Sequence, residues 1–157
     1  MDPSSPTRLA PGGRLPELAM TSAAGGPVRL NPPGRQNPVI VSLHPRCGEC
    51  RAWLRRLADT IVELREWDAH VVAVAATQED AVSLAADLPF PVAADAEGGF
   101  AARTGVAGAG VVIADQWGEV HHVAGGGDGH DLPGPAEIVD WVRFLAIQCP
   151  ECQGEAL

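Results

Sequence analysis

One motif constrains the fold more than any other feature of the chain: a Cys-x-x-Cys pair placed between a buried strand and a helix. The apolar run at residues 38–43 has the composition of a strand covered on both faces. It leads within a few residues into a Cys-Gly-Glu-Cys sequence, from Cys47 to Cys50. Beyond the motif, apolar residues recur at spacings of three and four as far as Leu64, which predicts an amphipathic helix ending near Asp68. This order places the first cysteine at a helix N-terminus.

The rest of the chain predicts alternating strands and helices. Two short extended runs on either side of Gly25 and Gly26 predict a β-hairpin within residues 15–30. Beyond the first long helix, the expected elements are strands at 70–76, 91–94, 110–114 and 119–124, helices at 78–87, 97–104 and 136–147, and a glycine-rich loop at 125–135. The order hairpin, β, α, β, α, β, α, β, β, α predicts an α/β fold with a mixed sheet flanked by helices.

The chain length of 157 residues fits a single domain. Residues 1–14, rich in Pro, Gly and Ser, are predicted to form a flexible leader, residues 15–147 the domain, and residues 148–157 a C-terminal tail. The tail carries a second Cys-x-x-Cys pair, Cys149 and Cys152. This pair could be a second redox couple, half of a metal site between subunits, or an exposed motif without a role.

Charge and side-chain composition exclude several classes of function. Twenty acidic residues against eleven basic ones give a formal net charge of −9, so the chain is not expected to bind nucleic acid. The basic residues are all Arg, which excludes lysine Schiff-base chemistry and a P-loop lysine. The N-terminus has no apolar run of signal-peptide length, and no stretch approaches the length of a membrane span, so we expect a cytoplasmic protein without a membrane partner. In that compartment, paired cysteines are typically catalytic, redox-sensing or metal-binding.

The predicted positions of the first two cysteines imply different roles for them. At a helix N-terminus, unpaired N–H groups and the helix dipole stabilise a thiolate at Cys47. Cys50 lies one turn further along, close enough to attack a mixed disulfide formed on Cys47. The flanking Arg46 and Arg51 also favour the thiolate, whereas Glu49 between the cysteines opposes it.

The residues around the cysteines carry a family resemblance. The motif reads His-Pro-Arg-Cys-Gly-Glu-Cys-Arg over residues 44–51. Further matching segments are Leu-Pro-Glu-Leu at 15–18, Phe-Pro-Val-Ala-Ala-Asp at 90–95 with Gly98, Thr-Gly-Val at 104–106, and Val-Val-Ile-Ala-Asp at 111–115 with Gly118. Over residues 15–147 the chain resembles the thioredoxin-like redoxins, nearest to the peroxiredoxin-like branch of alkyl hydroperoxide reductase and thiol-specific antioxidant proteins. The resemblance implies a thioredoxin-like fold with an N-terminal β-hairpin.

The same resemblance implies a thiol–disulfide oxidoreductase. Cys47 would attack a substrate disulfide, and Cys50 would resolve the mixed disulfide. The expected partners are a protein disulfide substrate and a thiol electron donor of a thioredoxin-like system. No organic cofactor is expected, and a homodimer is one assembly that the chain could form. His44 could accept a proton or merely fill the loop. The expected neighbours of the two catalytic cysteines are His44, Pro45, Arg46, Glu49, Arg51 and Gly110.

Four features of the family pattern are missing from this chain. Thioredoxin-like oxidoreductases usually carry a cis-proline before the closing hairpin, where this chain has Ala-Gly-Ala-Gly at 107–110 and no proline. Glycine there, as at Gly110, is small enough to let another backbone approach. Peroxiredoxins usually have Thr or Ser three residues before the reactive cysteine and Pro seven before it, where this chain has His44 and Ile40. Their active-site Arg near the hairpin is absent from residues 106–115. A fast peroxidase is therefore not expected, and a weak thiol peroxidase using the same cysteines remains an alternative.

A non-catalytic redoxin-fold module that binds zinc or a protein partner is the other alternative, since two Cys-x-x-Cys pairs could supply four thiolates. The twelve-residue closing helix should carry the tail pair about 18 Å away from Cys47, so no metal site is predicted within one subunit. His121 and His122 are adjacent in a strand and point to opposite faces, which is poor chelating geometry. His130 in the glycine-rich loop is expected to be solvated, and Trp53 to lie near the rim of the active site.

Overall fold

The computed structural model describes residues 8–32, 34–127 and 129–148. In chain order its elements are β1 (Ala19–Ser22), β2 (Pro27–Arg29), β3 (Asn37–Ser42), α1 (Gly48–Ala58), α2 (Ile61–Glu66), β4 (Ala69–Ala75), α3 (Gln78–Ala85), β5 (Val92–Ala94), α4 (Gly99–Thr104), β6 (Ala109–Ala114), β7 (Val120–Gly127) and α5 (Pro135–Ala146). None of these helices has the length and apolarity needed to cross a membrane. The tail pair, Cys149 and Cys152, lies outside the described residues.

Seven strands form one mixed sheet in the order β2-β1-β5-β4-β3-β6-β7. Strands β3, β4 and β5 pair in parallel, and the remaining neighbours pair antiparallel. Strand β3 lies between β4 and β6, and all of its residues are buried, as the apolar run at 38–43 predicts. The predicted mixed α/β sheet with an N-terminal hairpin is confirmed, and the connection from β3 to α1 starts at the centre of the sheet.

Alternate residues of the central strands enter two separate hydrophobic clusters, as expected for a sheet with both faces covered. Val39 and Val41 of β3 belong to the cluster that contains Leu57 of α1 and residues of α2 and α5. Ile40, between them, belongs to the other cluster, which contains Phe100 of α4 and residues of the N-terminal hairpin. Burial of α1 along its apolar face fixes the position of its N-terminus relative to β3.

The prediction of one continuous helix from the Cys-x-x-Cys motif to Asp68 is wrong, because the helix breaks at residues 59–60 into α1 and α2. At the break, the Thr60 hydroxyl and the Thr60 N–H both donate to the Leu57 carbonyl, at 2.7 and 3.0 Å. A threonine side chain that bonds the preceding turn in this way competes with regular helical bonding. The apolar stripe continues across the break through the buried residues Ile61 and Leu64, so its periodicity does not reveal the interruption.

The predicted glycine-rich loop at 125–135 begins too early, because strand β7 extends through Gly127. The pairing of β6 with β7 shifts register between Ala109 and Gly110, which leaves Gly126 as an extra residue in a bulge. Gly125 and Gly126 both have positive φ, 68° and 90°. A Cβ at Gly125 would lie 2.3 Å from the Ala109 carbonyl oxygen, so glycine here permits close strand pairing rather than a loop.

The described part of the predicted leader contacts the body of the domain. The Leu9 N–H donates to the Thr104 carbonyl at 2.6 Å, and Gly12 and Gly13 exchange backbone hydrogen bonds with Val120, both at 2.8 Å. These contacts place residues 9–13 beside α4 and β7. The boundary between leader and domain stays a prediction.

Candidate active site

Cys47 lies at the N-cap of α1, in the turn that follows β3. Its backbone is extended, and its Sγ accepts a hydrogen bond from the Cys50 N–H at 3.4 Å. The preceding residue, Arg46, has a left-handed backbone conformation with φ 53°. An N–H group of the first helical turn therefore contacts the Cys47 sulfur, which is the arrangement that stabilises a thiolate.

Cys50 lies in the first turn of α1 and has a different environment. Its residue surface is only 1% exposed, whereas Cys47 is partly exposed, and both cysteines are free thiols. The hydrogen bond from the Cys50 N–H is the main cause that lowers the pKa of Cys47 to about 6. Burial is the main cause that raises the pKa of Cys50 to about 11. At neutral pH, Cys47 is therefore mostly thiolate and Cys50 almost entirely thiol.

His130 contacts the Cys47 thiolate from the opposite end of the sequence. Its Nε2 lies 3.0 Å from Cys47 Sγ, and its Nδ1 lies 3.2 Å from the Glu49 carboxylate. The contact with Cys47 is the largest cause that raises the pKa of His130, and the Glu49 charge acts in the same direction. His130 is exposed, as expected, but the sequence did not predict its contacts with Cys47 and Glu49. Cys47, His130 and Glu49 form a connected chain of thiolate, imidazole and carboxylate.

The Glu49 carboxylate contacts this histidine, and its charge also contributes directly to the raised pKa of Cys50. The sequence predicts that its charge opposes the Cys47 thiolate, but its carboxylate lies against the imidazole that contacts the sulfur. A carboxylate in this position orients the ring and stabilises its protonated form. Sequence spacing alone gives no sign of this contact, since His130 and Cys47 are 83 residues apart.

His44 lies beside the second cysteine. Its Nδ1 is 3.6 Å from Cys50 Sγ, and its ring packs edge-on against His130 with ring centroids 4.8 Å apart. His44 therefore contacts the Cys50 thiol.

Trp53 connects the loop of His130 to α1. Its side chain is nearly buried, and its indole N–H donates to the Pro133 carbonyl at 2.9 Å. Leu132 of the same loop packs against the hydrophobic cluster beneath α1. The residue expected at the rim of the site thus has a structural role, since it holds the His130 loop against the helix that carries both cysteines.

A shallow cleft beside the cysteines is lined by Pro45, Arg46, Cys47, Cys50 and Arg51 together with residues of the β4–α3 connection. A neighbouring cleft of about 100 Å³ shares Pro45 with it and reaches Ala107 and Gly108. The connection before β6 therefore lies near the active-site turn, as it does in the predicted fold. The two clefts together form an apolar surface next to the Cys47 thiolate.

Two of the expected active-site neighbours have other contacts. The Arg51 guanidinium donates to the Ser83 hydroxyl of α3 at 3.0 Å. Gly110 of β6 pairs with Ser42 of β3. A Cβ at Gly110 would lie 2.7 Å from Val106 Cγ1 and 3.0 Å from the Gly126 nitrogen. The backbone that approaches Gly110 closely is therefore the chain's own strand β7. No cis peptide bond occurs among the described residues.

We expect iodoacetamide to label Cys47 of the reduced, metal-free protein at least about 100-fold faster than Cys50 at pH 7, because only the thiolate reacts. The rate should be constant above neutral pH and fall as the pH decreases through about 6, the pKa of Cys47. Peptide mass spectrometry after timed alkylation in the presence of a chelator measures both rates. Faster labelling of Cys50 would reverse the assigned roles.

The variant His130→Gln tests the contribution of the imidazole to this profile. Because the His130 contact lowers the pKa of Cys47, its removal should move the midpoint of the alkylation profile to higher pH. His121→Gln is the matched control, since His121 contacts Asp115 instead. An unchanged midpoint in His130→Gln would show that the imidazole does not stabilise the thiolate in solution.

Comparison with known proteins places the chain among redoxins. The sequence model of the AhpC/TSA family matches residues 11–123, and no curated protein sequence is significantly similar to the chain. Mycobacterium tuberculosis AhpC superposes with a TM-score of 0.78 at 15% identity, covering 93% of this chain and 99% of that chain. The peroxidoxin BcpB of the same organism gives 0.73 at 18%, covering 90% and 100%.

A third solved structure belongs to a protein described as a thiol:disulfide interchange protein. This structure, described as "a putative Thiol:disulfide interchange protein DsbE from Chlorobium tepidum", has a TM-score of 0.72 at 24% identity, covering 89% of this chain and 99% of that chain. These likenesses confirm the predicted thioredoxin-like fold. The family match ends at residue 123, so His130 lies outside the segment that family comparison covers.

Proposed function

The chain belongs to the AhpC/TSA family, and we propose that within it the protein acts as a thiol–disulfide oxidoreductase through Cys47 and Cys50. One observation carries the proposal. Two free thiols lie one helical turn apart, and the first has a lowered pKa and partial exposure, whereas the second is buried with a raised pKa. This asymmetry suits an attacking thiolate and a resolving thiol.

In the first step, the Cys47 thiolate attacks one sulfur of a substrate disulfide. The new Cys47–substrate S–S bond forms as the substrate S–S bond breaks, and the departing thiolate needs a proton. His130 is placed to donate this proton, because its Nε2 lies 3.0 Å from the attacking sulfur and its pKa is raised. Glu49 on the far side of the ring holds the imidazole in this orientation.

In the second step, Cys50 resolves the mixed disulfide. Its thiol must first lose a proton, and His44 Nδ1 at 3.6 Å from Sγ is placed to accept it. The Cys50 thiolate then attacks Cys47 Sγ and releases the second substrate thiol. Two electrons have moved from the cysteine pair to the substrate, which leaves a Cys47–Cys50 disulfide.

A thiol donor returns the protein to its reduced state by the reverse exchange. The donor of a thioredoxin-like system supplies both electrons, so the cycle needs no organic cofactor. The apolar clefts beside Cys47, which share Pro45 and extend to Ala107 and Gly108, suit an extended protein segment on either side of a disulfide. A protein disulfide is therefore the proposed substrate.

A weak thiol peroxidase is the second candidate, favoured by the family match and by the partly exposed Cys47 thiolate with its lowered pKa. Cys47 would attack a peroxide, form a sulfenic acid and release water or an alcohol, and Cys50 would then form the disulfide. The residues at the usual peroxidatic positions do not assist this step. Ile40 lies in the hydrophobic cluster on one face of the sheet, and His44 contacts Cys50.

Parallel assays of one preparation separate the two activities. With dithiothreitol as reductant, we expect the protein to accelerate the reduction of insulin disulfides, and to add little to peroxide consumption, because the proton-transfer groups serve thiolate exchange. The Cys47→Ser variant provides the baseline in both assays. Peroxide consumption that is accelerated while insulin reduction is not would favour the peroxidase and refute the exchange activity.

A further inference from the structure

Four potential ligands converge at the N-terminus of α1, and we call them the Cys2His2 cluster. They are Cys47 and Cys50 of the first helical turn, His44 of the preceding turn and His130 of the loop after β7. The two sulfurs and one ring nitrogen of each histidine all lie within 4.8 Å of one another. The proposed exchange reaction pairs each histidine with one cysteine, and it does not require all four ligand atoms to lie around one point.

The donor set and its spacing fit a tetrahedral zinc ion. Around Zn²⁺, with Zn–S near 2.3 Å and Zn–N near 2.0–2.1 Å, neighbouring donor atoms are separated by roughly 3.3–3.8 Å. Cys50 Sγ and His44 Nδ1 are 3.6 Å apart, and Cys47 Sγ and His130 Nε2 are 3.0 Å apart. Side-chain shifts of about an ångström would therefore bring all four donors onto one ion. Two thiolates with two imidazoles form a typical zinc donor set.

The groups behind the cluster also suit a metal site. With Nε2 of His130 on the ion, its Nδ1–H would donate to the Glu49 carboxylate, which lies 3.2 Å away. Such a carboxylate fixes the tautomer and the orientation of a ligating histidine. The Cys50 N–H bond to Cys47 Sγ would support that sulfur as a thiolate ligand, and the Trp53 bond to Pro133 holds the His130 loop in place.

We propose that the reduced protein binds one zinc ion in the Cys2His2 cluster, and that the disulfide form does not. On binding, each thiol that becomes a ligand loses its proton to solvent. Oxidation of the two cysteines removes two electrons and joins the sulfurs, so only two imidazoles would remain as ligands and the ion would be released. Bound zinc would in turn keep both sulfurs from attacking a disulfide. Zinc would thus bind only the reduced protein and would block its thiol–disulfide exchange.

This site differs from the one considered on sequence grounds. The two Cys-x-x-Cys pairs together were not expected to form a metal site within one subunit. The Cys2His2 cluster needs no residue of the tail, and two of its ligands are histidines. The test is therefore best made with a variant that carries both Cys149→Ser and Cys152→Ser, because zinc binding by this variant cannot use the tail cysteines.

The experiment titrates this tail variant, reduced and stripped with a chelator, with zinc chloride in competition with a chromophoric chelator. We expect the tail variant to bind one zinc ion per chain. The disulfide form and Cys47→Ser should not take zinc from the chelator, and His130→Ala should bind zinc with an affinity at least about 10-fold lower. His121→Ala is the matched control for the second potential ligand group, Asp115, Glu119 and His121, and should bind as the parent does. Cobalt(II) in place of zinc should give thiolate charge-transfer absorption that is lost in Cys47→Ser.

Zinc binding that is equal in the reduced and disulfide forms, or unchanged in both Cys47→Ser and His130→Ala, would overturn the proposal, as would the absence of binding by the tail variant. Insulin reduction by the zinc-free protein is measured on the same preparation and decides the proposed function separately. A chain that binds zinc and does not reduce insulin would refute only the exchange activity. A chain that reduces insulin and binds no zinc would refute only the metal site.

Discussion

Cys47→Ser is expected to abolish the reduction of insulin disulfides, with a loss on the order of 10³-fold or more, the scale seen when a catalytic nucleophile is removed. A serine hydroxyl has no accessible anionic form at neutral pH, whereas the Cys47 thiol, with its pKa lowered to about 6, is mostly thiolate. Neither Cys50 nor the proton-transfer groups can replace it, because burial keeps Cys50 as a thiol. Turbidity of reduced insulin measures the effect.

Cys50→Ser is expected to fail at a different step. The attacking thiolate is intact, so the mixed disulfide should form and then accumulate, since the second sulfur that releases it is missing. Mass spectrometry of the non-reduced variant after exposure to excess substrate disulfide should show an adduct on Cys47. Both variants are best made in a background lacking Cys149 and Cys152, so that the tail cannot resolve the adduct. Turnover by Cys50→Ser at the parent rate in this background would contradict the two-cysteine mechanism.

The features that the sequence predicts correctly are those set by local patterns. The buried β3, the helix N-terminus at Cys47 and the order of elements follow from apolar runs and periodicity over a few residues. The break at Thr60 and the bulge at Gly126 do not, because each depends on a specific backbone contact. The threonine bonds the preceding turn, and the bulge lets β7 pair closely with β6.

The active site shows the same division between local and distant contacts. The asymmetry between Cys47 and Cys50 is predictable, since a helix N-cap and a position one turn further differ in every helix. The contact of the His130 imidazole with Cys47 is not predictable from the sequence, because the two residues are 83 positions apart and meet only when β6 and β7 are paired. A histidine in the first loop after the closing hairpin is the signal that could have indicated it, because this loop leads to α5, which packs in the same hydrophobic cluster as α1.

Gly110→Pro would restore the proline that related oxidoreductases carry before the closing hairpin, yet we expect it to destabilise the fold by about 3 kcal/mol or more. Strand β6 pairs with β3 on one side and with β7 on the other, so a proline removes an N–H from a central strand. The added ring would also meet Val106 and Gly126, since even a Cβ would lie 2.7 Å from Val106 Cγ1. Urea unfolding followed by circular dichroism measures the loss.

Gly110→Ala separates the effect of packing from the loss of the N–H group. It keeps the backbone donor but still brings a methyl group within 3.0 Å of the Gly126 nitrogen, so we expect it to lower the free energy of unfolding by about 1–3 kcal/mol. Gly48→Ala in the first turn of α1 is the matched control, because a Cβ there contacts nothing within 4 Å, and its unfolding midpoint should be unchanged or slightly higher. If Gly110→Pro instead unfolded at the parent midpoint and slowed only the reduction of protein disulfides, Gly110 would be a substrate-docking position. If Gly110→Pro instead lowers the free energy of unfolding as expected, the close pairing of β6 with the glycine bulge of β7 explains why position 110 has no proline.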